Sequence, residues 1–481
     1  MKTSHNNLFL LPALIAGLSL VLAGRVPAQT LTTLYSFTAG SSSDPVNITN
    51  SDGAHPEAGL VLSGNIFYGT TFRGGSSANG TVFKVNTDGT GFTNLHSFAA
   101  FSNSTNGDGA YLQGALVLSG STLYGVAFRG GSSGNGTVFA INTNGTGFTN
   151  LYSFTATSNF TNSDGANPVD ALFLLGNTLY GTASAGGSSG SGTVFAINTD
   201  GTGFTNLHSF TALSNSTNSD GANPNAGVIL AGNTLYGAAF YGGSSGNGTA
   251  FKVNTDGTGF TNLHSFTAPA ISVSLWTNSD GIWPTGRLIL SDNTLYGTAS
   301  QAGGLGNGTV FAIHTNGTGF AILHNFNHYD GSIPNAGLIL SGNTLYGSTR
   351  EGWGTVFAVN TDGSGFTTLH NFTSYDGGIP NAPLFLSGNT LYGTTIIGGS
   401  FGSGTVFSLS LPPPQLTIIP SGASVILTWP TNAAGFTLQS TTNLVSPAVW
   451  TAVSPVPTVV NRQNAVTNLV SDIKRFYRLS Q

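Results

Sequence analysis

A repeated segment is the feature of this chain that most restricts its fold. Residues 136–154 read GTVFAINTNGTGFTNLYSF, and residues 192–210 read GTVFAINTDGTGFTNLHSF. A Tyr-Gly pair precedes every copy, and successive tyrosines are 56, 56, 56, 60, 50 and 46 residues apart. These tyrosines are Tyr68, Tyr124, Tyr180, Tyr236, Tyr296, Tyr346 and Tyr392. A period in this range is typical of solenoids, propellers and other repeat arrays.

Each repeat contains four short apolar runs separated by turn residues. In the fourth repeat the runs are residues 227–232, 234–240, 248–254 and 260–266, and Gly-Asn, a Gly/Ser loop and Asp-Gly lie between them. None of these runs has the period or the length of a helix, and the intervening residues are those of β-hairpin turns. Each repeat is therefore predicted to be a four-stranded antiparallel meander, whose strands we call a, b, c and d in chain order.

The alternation of side chains in strand c predicts how the meanders pack. In residues 136–142, GTVFAIN, the large Phe139 and Ile141 point to one face, and the smaller Val138 and Ala140 point to the other. A sheet with one large and one small apolar face is suited to stacking between two neighbours. Four-stranded sheets that stack in this way around an axis form a β-propeller.

The strands do not all occur equally often. Strands a, b and c occur seven times, but strand d follows only six of them, and an isolated d-like run, LTTLYSF at 31–37, precedes the first strand a. Pairing this run with the last strand c would complete that sheet and cover its exposed edge. We therefore predict an all-β fold, a seven-bladed β-propeller closed by the N-terminal strand. The alternative, an open β-solenoid, leaves residues 31–37 without a role.

Composition divides the chain into three segments. Residues 1–28 have the basic start, apolar stretch and small-residue cleavage site of a signal peptide, and we prefer this interpretation to a membrane anchor. The repeats, residues 29–411, contain 6 basic and 16 acidic residues, whereas residues 412–481 contain 4 basic and 1 acidic residue. The change coincides with the stiff LPPPQ segment at 411–415. We predict a secreted or cell-surface protein whose propeller is followed by a small β-sandwich.

The low charge of the chain argues against nucleic acid as a partner. Only 6% of its residues are Asp, Glu, Lys or Arg, and it contains no cysteine. Nucleic-acid binding requires clustered Lys and Arg, so we exclude it. After the signal peptide no run is long and apolar enough to span a bilayer. The sequence indicates no cofactor and gives no information on oligomeric state, and we assume a monomer.

The repeat consensus is distinctive. It reads LYGTxxxGGxxxxGTVFxxNTDGxGFxxLHSF and resembles the GloVer tandem repeat of secreted bacterial proteins over about residues 31–411. The resemblance implies an exported repeat protein and supplies no set of catalytic residues. The tail contains ASVILTWP and KRFYRLSQ and resembles immunoglobulin-like or fibronectin-type domains, in which Trp429 would be a core residue.

Two polar positions recur once per repeat. His or Tyr recurs in strand d, and an Asp-Gly pair begins 16 residues before each tyrosine, at Asp52, Asp108, Asp164, Asp220, Asp280, Asp330 and Asp376. A ring of carboxylates suggests a cation, but Ca²⁺ needs 6 to 8 oxygens at about 2.3–2.6 Å, which separate blades would not bring together. We therefore interpret each Asp as a turn residue that bonds its own backbone, each His as a packing residue, and predict no metal site.

Departures from the repeat indicate where a ligand could bind. The connection before the fifth Tyr-Gly pair is long and contains Trp276 and Trp283, and the next b–c loop is shortened to REGWG, with Arg350, Glu351 and Trp353. In a propeller these connections open on the same face. Two interpretations stay open: the long loops fold their tryptophans onto the propeller as local cores, or Trp276, Trp283 and Trp353 line a ligand groove, with Arg350 and Glu351 beside them to bind the ligand.

These observations favour a non-catalytic protein for binding or surface interaction, with a neutral polysaccharide or another cell-surface component as its expected partner. The alternative is an extracellular carbohydrate-active hydrolase or lyase that uses Asp and Glu on the same face. The sequence has no nucleophile elbow. Glutamate occurs only at Glu57 and Glu351, so a pair of glutamates for glycoside hydrolysis would come from two different blades.

Overall fold

The computed structural model describes residues 29–41, 48–272, 275–430, 436–445, 447–460, 463–469 and 474–480. The signal peptide predicted at residues 1–28 lies outside the described residues. Every regular element within them is a β-strand. Accordingly, the described part of the chain has no helix long and apolar enough to cross a membrane.

The strands lie in chain order as follows. Those up to residue 209 are β1 (Leu31–Ser36), β2 (Val61–Ser63), β3 (Ile66–Thr71), β4 (Thr81–Asn86), β5 (Thr93–Ser97), β6 (Val117–Ser119), β7 (Thr122–Ala127), β8 (Thr137–Asn142), β9 (Thr149–Ser153), β10 (Ala166–Leu175), β11 (Thr178–Ala185), β12 (Thr193–Asn198) and β13 (Thr205–Ser209). Those from 229 to 410 are β14 (Ile229–Ala231), β15 (Thr234–Ala239), β16 (Thr249–Asn254), β17 (Thr261–Ser265), β18 (Ala270–Ser272), β19 (Leu275–Thr277), β20 (Ile282–Pro284), β21 (Ile289–Ser291), β22 (Thr294–Gln301), β23 (Thr309–His314), β24 (Ala321–Asn325), β25 (Ile339–Ser341), β26 (Thr344–Thr349), β27 (Thr355–Asn360), β28 (Thr367–Asn371), β29 (Phe385–Ser387), β30 (Thr390–Thr395) and β31 (Thr405–Ser410). Those of the C-terminal segment are β32 (Thr417–Ser421), β33 (Ser424–Pro430), β34 (Thr437–Thr441), β35 (Thr451–Ala452), β36 (Thr458–Val460), β37 (Gln463–Leu469) and β38 (Phe476–Ser480).

The repeats form antiparallel sheets that follow chain order. The first four sheets are β2–β5, β6–β9, β10–β13 and β14–β17, and the sixth is β25–β28. In the fifth sheet both β20 and β21 pair with β22, which pairs in turn with β23, and β23 pairs with β24. The short β18–β19 hairpin lies in the connection that leads from the fourth sheet to the fifth. The predicted four-stranded meanders are confirmed, and the sheets are arranged as propeller-like blades.

The last sheet is completed by the N-terminal strand. Its order is β1-β31-β30-β29, so the first strand of the chain is hydrogen-bonded to the last strand of the repeats. The pairing is antiparallel, with Leu31 opposite Leu409 and Ser36 opposite Thr405. The isolated run at 31–37 therefore takes the place of strand d, as predicted.

The Tyr-Gly pair lies in strand b, where the glycine has a packing role. In the second sheet Gly125 lies opposite Phe139 of strand c. A Cβ added to Gly125 would lie 2.6 Å from Cζ of Phe139, so any larger residue would displace the aromatic ring. The ring of strand c therefore lies across the glycine of strand b.

Consecutive sheets share apolar cores. Phe139 and Ile141 belong to the core between the first and second sheets, whereas Val138 and Ala140 belong to the core between the second and third. The prediction that strand c has one large and one small packing face is confirmed.

A further core joins the last sheet to the first. Phe37, beside β1, is fully buried there together with Phe83 of the first sheet and Val406 of the last. The rings of Phe67 in the first sheet and Tyr392 in the last have centroids 4.7 Å apart. The two ends of the repeat array are therefore packed against each other as well as hydrogen-bonded.

The C-terminal segment forms two small antiparallel sheets, β32-β33-β37-β36 and β35-β34-β38. They share a core made of Leu427, Trp429, Leu438 and Val466. Trp429, which the sequence predicts to be a core residue, is 2% exposed.

Candidate functional site

The b–c loops and the d–a connections meet at one edge of each sheet. In the fourth repeat they are residues 240–248 and 210–228, and a backbone bridge joins Ala222 to Tyr241. Corresponding bridges occur in other repeats. We call the edge formed by these loops and connections the loop-bearing face.

A central cavity of about 690 Å³ lies at this face. Every repeat contributes the residue that lies five positions after its recurrent Asp, which places one equivalent side chain per sheet around the cavity. These residues are Glu57, Gln113, Val169, Asn225, Thr285, Asn335 and Asn381. The first residues after several b strands complete the wall, with Phe128, Phe240 and Arg350 among them.

Trp283 is held at this cavity by an unusual backbone conformation. It lies three residues after Asp280 and has a φ of 60°, and the equivalent residues of the other repeats are also left-handed. Its N–H donates to Asn247 O of the preceding sheet at 2.9 Å. A left-handed backbone is costly for a residue with a Cβ, so this bond between sheets helps to hold the conformation.

An aromatic cluster surrounds Trp283. Its ring is stacked on Phe240, with centroids 5.5 Å apart, and meets Trp276 edge to face at 5.8 Å. Tyr241 lies at 6.2 Å on the same side. Trp276 keeps 41% of its surface exposed. The structure therefore brings Trp276 and Trp283 together beside the cavity.

The remaining members of the predicted groove are distributed differently. Arg350 lines the cavity together with Trp283, whereas Glu351 is exposed and lies outside the cavity lining. Trp353 is 43% exposed and lies against the last sheet, where a Cβ added to Gly378 would meet its ring at 2.5 Å. The five residues share one face, but the cavity wall includes only two of them.

The cavity wall also contains two charged residues, Asp170 and Arg287, that the sequence patterns above do not predict as site residues. Arg287 donates from Nε and Nη2 to Val228 O at 3.1 and 2.7 Å, and from Nη2 to Ala171 O and Leu172 O at 3.1 and 3.2 Å. Asp170 Oδ2 accepts from the N–H of Gly227 at 2.7 Å. Burial lowers the pKa of Arg287, and the nearby Asp170 carboxylate opposes that effect.

A register comparison within the repeats would have found both residues. At the position of Asp170 the other repeats have only alanine or glycine, namely Ala58, Gly114, Ala226, Gly286, Ala336 and Ala382. At the position of Arg287 they have Gly59, Ala115, Ala171, Gly227, Gly337 and Pro383. Charged side chains at small-residue positions are departures from the repeat of the same kind as the tryptophans. Loop length does not reveal them, because each is a change of residue type and not an insertion or a deletion.

Glu57 faces the cavity from the first sheet. Burial raises the pKa of its carboxyl to about 7, although Arg350 and Arg73 oppose the shift. On the cavity wall of the sixth and seventh repeats, Asn335 Nδ2 donates to Asn381 Oδ1 at 2.8 Å. A carboxyl that is partly protonated near neutral pH can both donate and accept hydrogen bonds.

The recurrent Asp has a different role from the one predicted. Asp220 accepts hydrogen bonds from His208 Nε2 at 3.0 Å and from both the N–H and the hydroxyl of Thr211. The turn is held by Asn218, whose Oδ1 accepts from the N–H of Gly221 at 2.9 Å. For Asp220 the interpretation as the residue that bonds its own turn is wrong, because its carboxylate reaches the preceding sheet. In the two short connections Asp330 and Asp376 also accept from a backbone N–H three residues earlier, so there the interpretation holds in part.

The histidines of strand d pack as predicted. The His208 ring lies flat on Phe260 of the next sheet, with centroids 3.7 Å apart. Tyr152 makes the equivalent contact with Phe204 at 4.0 Å. Among the residues that the structure describes, no group of three or more His, Cys, Asp or Glu is placed to hold a metal ion.

Comparisons with known proteins concern the repeats. The model of the Gloeobacter/Verrucomicrobia repeat matches residues 23–159 and 155–353. The comparison with curated proteins found no match. Similar solved structures include a chain of a nidogen/laminin complex, with 13% identity, a TM-score of 0.37, and coverage of 61% of this chain and 91% of that chain. They also include a chain of a mitotic checkpoint complex, with 13% identity, a TM-score of 0.45, and coverage of 85% of this chain and 100% of that chain.

Proposed function

The chain belongs to the Gloeobacter/Verrucomicrobia repeat family, and from this premise we propose that it is a secreted, non-catalytic protein that binds a neutral polysaccharide with its loop-bearing face. The proposal includes a closed seven-bladed propeller and an immunoglobulin-like or fibronectin-type C-terminal module. Export through a cleaved signal peptide would deliver the protein to the compartment in which extracellular polysaccharides occur.

Closure of the propeller is supported by the contacts between its two ends. Strand β1 pairs with β31, and the first and last sheets share an apolar core. A closed ring gives a rigid frame in which equivalent positions of all the repeats converge on one central cavity. Such a frame suits a binding site because ligands are held best by groups whose positions are fixed in advance.

The distribution of exposed apolar side chains is the observation that carries the proposed function. Among the described residues of the repeats, ten large apolar side chains are at least 41% exposed, and nine of them lie on the loop-bearing face. The nine are Phe160, Leu213, Tyr241, Trp276, Leu305, Tyr329, Trp353, Tyr375 and Phe401, and the exception is Leu175. The opposite edge carries exposed carboxylates in the c–d turns, at Asp88, Asp200, Asp256 and Asp362. The two edges therefore differ in chemistry, and exposed aromatic side chains concentrated on one of them are typical of an interaction surface.

The chemistry of this face fits sugar rings. Flat aromatic side chains pack against the apolar faces of sugars, and the polar tip of an indole tolerates water. The cavity adds the side-chain amides of Gln113, Asn225, Asn335 and Asn381, each of which can donate to one hydroxyl and accept from another. The charges on the face have both signs, as in Arg350 and Glu351 or in Arg287 and Asp170, so a neutral polymer matches it better than a charged one.

A binding screen with matched variants tests the proposed function. The mature protein is incubated with an array of neutral glycans, and the best hit is titrated against wild type and Trp276→Ala. Because Trp276 is exposed, its replacement should leave the fold intact, and we expect at least a tenfold loss of affinity. The control is Leu175→Ala, an exposed apolar residue on the opposite edge, which should bind as wild type does. Absence of any neutral glycan ligand, or equal binding by Trp276→Ala, contradicts the proposal.

One observation favours the hydrolase as a second candidate. The cavity contains two carboxyl groups, those of Glu57 and Asp170. Burial raises the pKa of Glu57 to about 7, so this carboxyl is partly protonated near neutral pH. Two carboxyl groups in different environments are the basis of general acid catalysis in glycosidases. Release of reducing sugar from the bound glycan, abolished in Glu57→Gln with binding retained, would support this candidate. Under the binding proposal no sugar is released.

A further inference from the structure

We propose that the central cavity receives the end of the sugar chain, and that Asp170 and Arg287 recognise two neighbouring hydroxyl groups of the terminal unit. This inference rests on the proposed function and adds to it the part of the polymer that is recognised. The terminal sugar unit of a polysaccharide has one glycosidic linkage, whereas an interior unit has two.

Asp170 and Arg287 are not required by the repeat architecture. The six other repeats form their sheets with alanine or glycine at the first position and with glycine, alanine or proline at the second. Of the seven residues at the first position, Asp170 alone has a left-handed backbone, with a φ of 55°, and strand β10 alone extends over this position. The two charged side chains extend from different repeats towards Gly227. A Cβ added to this glycine would lie 3.1 Å from Asp170 Oδ2 and 3.4 Å from Arg287 Nε. Two residues of opposite charge that replace small residues of the repeat and lie together in a cavity indicate a ligand-binding role rather than a structural one.

Each of the two side chains keeps hydrogen-bonding capacity. The bonds of Arg287 to backbone carbonyls use Nε and Nη2, so Nη1 has no partner among the described residues. The bond of Asp170 uses Oδ2, so Oδ1 likewise has none within the described part of the chain. One hydroxyl of a vicinal diol can donate to Asp170 Oδ1 while its neighbour accepts from Arg287 Nη1.

The charges of the cavity favour a neutral ligand. Asp170 and Arg287 compensate each other electrostatically, and an added carboxylate or ammonium group would meet a like charge on one of them. Across the cavity, Glu57 and the Asn335–Asn381 pair offer further groups for hydroxyls.

Arg287 restricts how deep a chain can pass. Its side chain starts in the fifth repeat and bonds carbonyls of the third and the fourth, so it crosses part of the proposed ring beside their strands a. Under this inference the side chain limits passage of the polymer, so that its end unit occupies the cavity. The cavity of about 690 Å³ is of the size that holds small ligands, about 300–1,000 Å³, and accommodates one or two sugar units. The next unit would lie at the mouth, beside Trp283 and Trp276.

A chain-length series separates end binding from binding along the chain. The best glycan of the screen is prepared as oligosaccharides of about one to ten units, and each is titrated calorimetrically against the full mature protein. If the cavity holds the end, affinity per chain rises until the cavity and the tryptophan pair are filled, after about three units, and then stays constant. Affinity that keeps rising to ten units overturns the inference.

A variant tests the two named residues. Asp170→Asn keeps a residue suited to the left-handed φ of 55°, and we expect at least a tenfold loss of affinity for every chain length. The matched control is Asp292→Asn, an exposed residue with a φ of 52° on the opposite edge, which should bind as wild type does. If Asp170→Asn binds as tightly as wild type while Trp276→Ala is weakened, the end-binding inference fails and the proposed function stands. If no neutral glycan binds wild type, both fail.

Discussion

Asp220 accepts a hydrogen bond from His208 Nε2 at 3.0 Å, and the same imidazole lies flat on Phe260, with ring centroids 3.7 Å apart. His208 belongs to the third sheet, whereas Asp220 and Phe260 belong to the fourth repeat. In the neighbouring pair of sheets Tyr152 donates to Asp164 at 2.8 Å. This position therefore joins consecutive sheets by a hydrogen bond and a stacked ring, and either His or Tyr can provide both.

The exchange of His and Tyr among the repeats predicts the outcome of two substitutions. His208→Tyr should change the free energy of unfolding by less than about 0.5 kcal/mol, because a tyrosine hydroxyl can donate to Asp220 as Tyr152 does to Asp164. His208→Phe keeps the stacked ring but removes the donor to a buried carboxylate, and should cost about 1–3 kcal/mol. Urea unfolding of the three proteins checks this. Equal losses in both variants would show that the hydrogen bond contributes nothing.

Patterns repeated along the chain were sufficient to predict the strands and their order. The alternation of Phe139 and Val138 indicated two packing faces, and a surplus d-like run at 31–37 indicated the pairing with the last strand c. Both inferences depend only on side-chain period and on counting, which a single sequence provides. The prediction failed for Asp220 because turn chemistry is local, whereas its donor lies 12 residues away on another sheet.

The cavity was harder to predict for a related reason. Asp170 and Arg287 are 117 positions apart in the sequence numbering and come together beside Gly227, because the third, fourth and fifth repeats are neighbours in space. Unusual loop lengths indicated Trp276 and Trp283, which do lie together. They also indicated Trp353, which packs on Gly378 and does not join the other two tryptophans at the cavity. Comparing equivalent positions across the repeats carries the information that loop length lacks.

The pairing of β1 with the last sheet predicts a large effect of a substitution near the N-terminus. Phe37 is fully buried in the core between the last and first sheets, and Phe37→Ala should cost about 3–5 kcal/mol through lost burial and a cavity. Thermal and urea unfolding measure the loss. Phe401→Ala is the control, since Phe401 is 55% exposed and should change stability little. If Phe37→Ala melts at the temperature of the control, the N-terminal segment does not close the array.

Thr285 provides a site where a conservative substitution should stabilise the protein. Its hydroxyl oxygen is buried and has no hydrogen-bond partner within the part of the chain that the structure describes, and the equivalent residue of the third repeat is Val169. Thr285→Val removes an unsatisfied polar group, so the free energy of unfolding should rise by about 1 kcal/mol. The control is Thr182→Val, which loses the bond from Thr182 Oγ1 to Ala226 O at 3.1 Å and should be destabilised. Destabilisation of both variants would mean that Thr285 is satisfied, for example by water.

Glu57 predicts a dependence of stability on pH. Burial raises the pKa of its carboxyl from an ordinary value of 4.5 to about 7, so the folded state holds this proton more tightly than the unfolded chain does. The resulting stabilisation is fully present below about pH 4.5 and is lost as the pH rises through about 7. Glu57→Gln cannot titrate and should fit the site, because Gln113 occupies the equivalent position.

The measurement is the difference in melting temperature between wild type and Glu57→Gln at pH values from about 4 to 9, the range that brackets both pKa values. All other groups titrate alike in the two proteins, so the difference isolates Glu57. Wild type should lose stability relative to the variant as the pH rises from about 4.5 through 7, and the difference should level off about one pH unit above the folded-state pKa. Glu351→Gln serves as the control, because Glu351 is exposed and its difference curve should be flat. A flat curve for Glu57→Gln as well would mean that water in the cavity solvates the carboxylate fully. In that case Glu57 would face a ligand as a charged group near neutral pH, and the preference of the cavity for neutral sugars would rest on Asp170 and Arg287 alone.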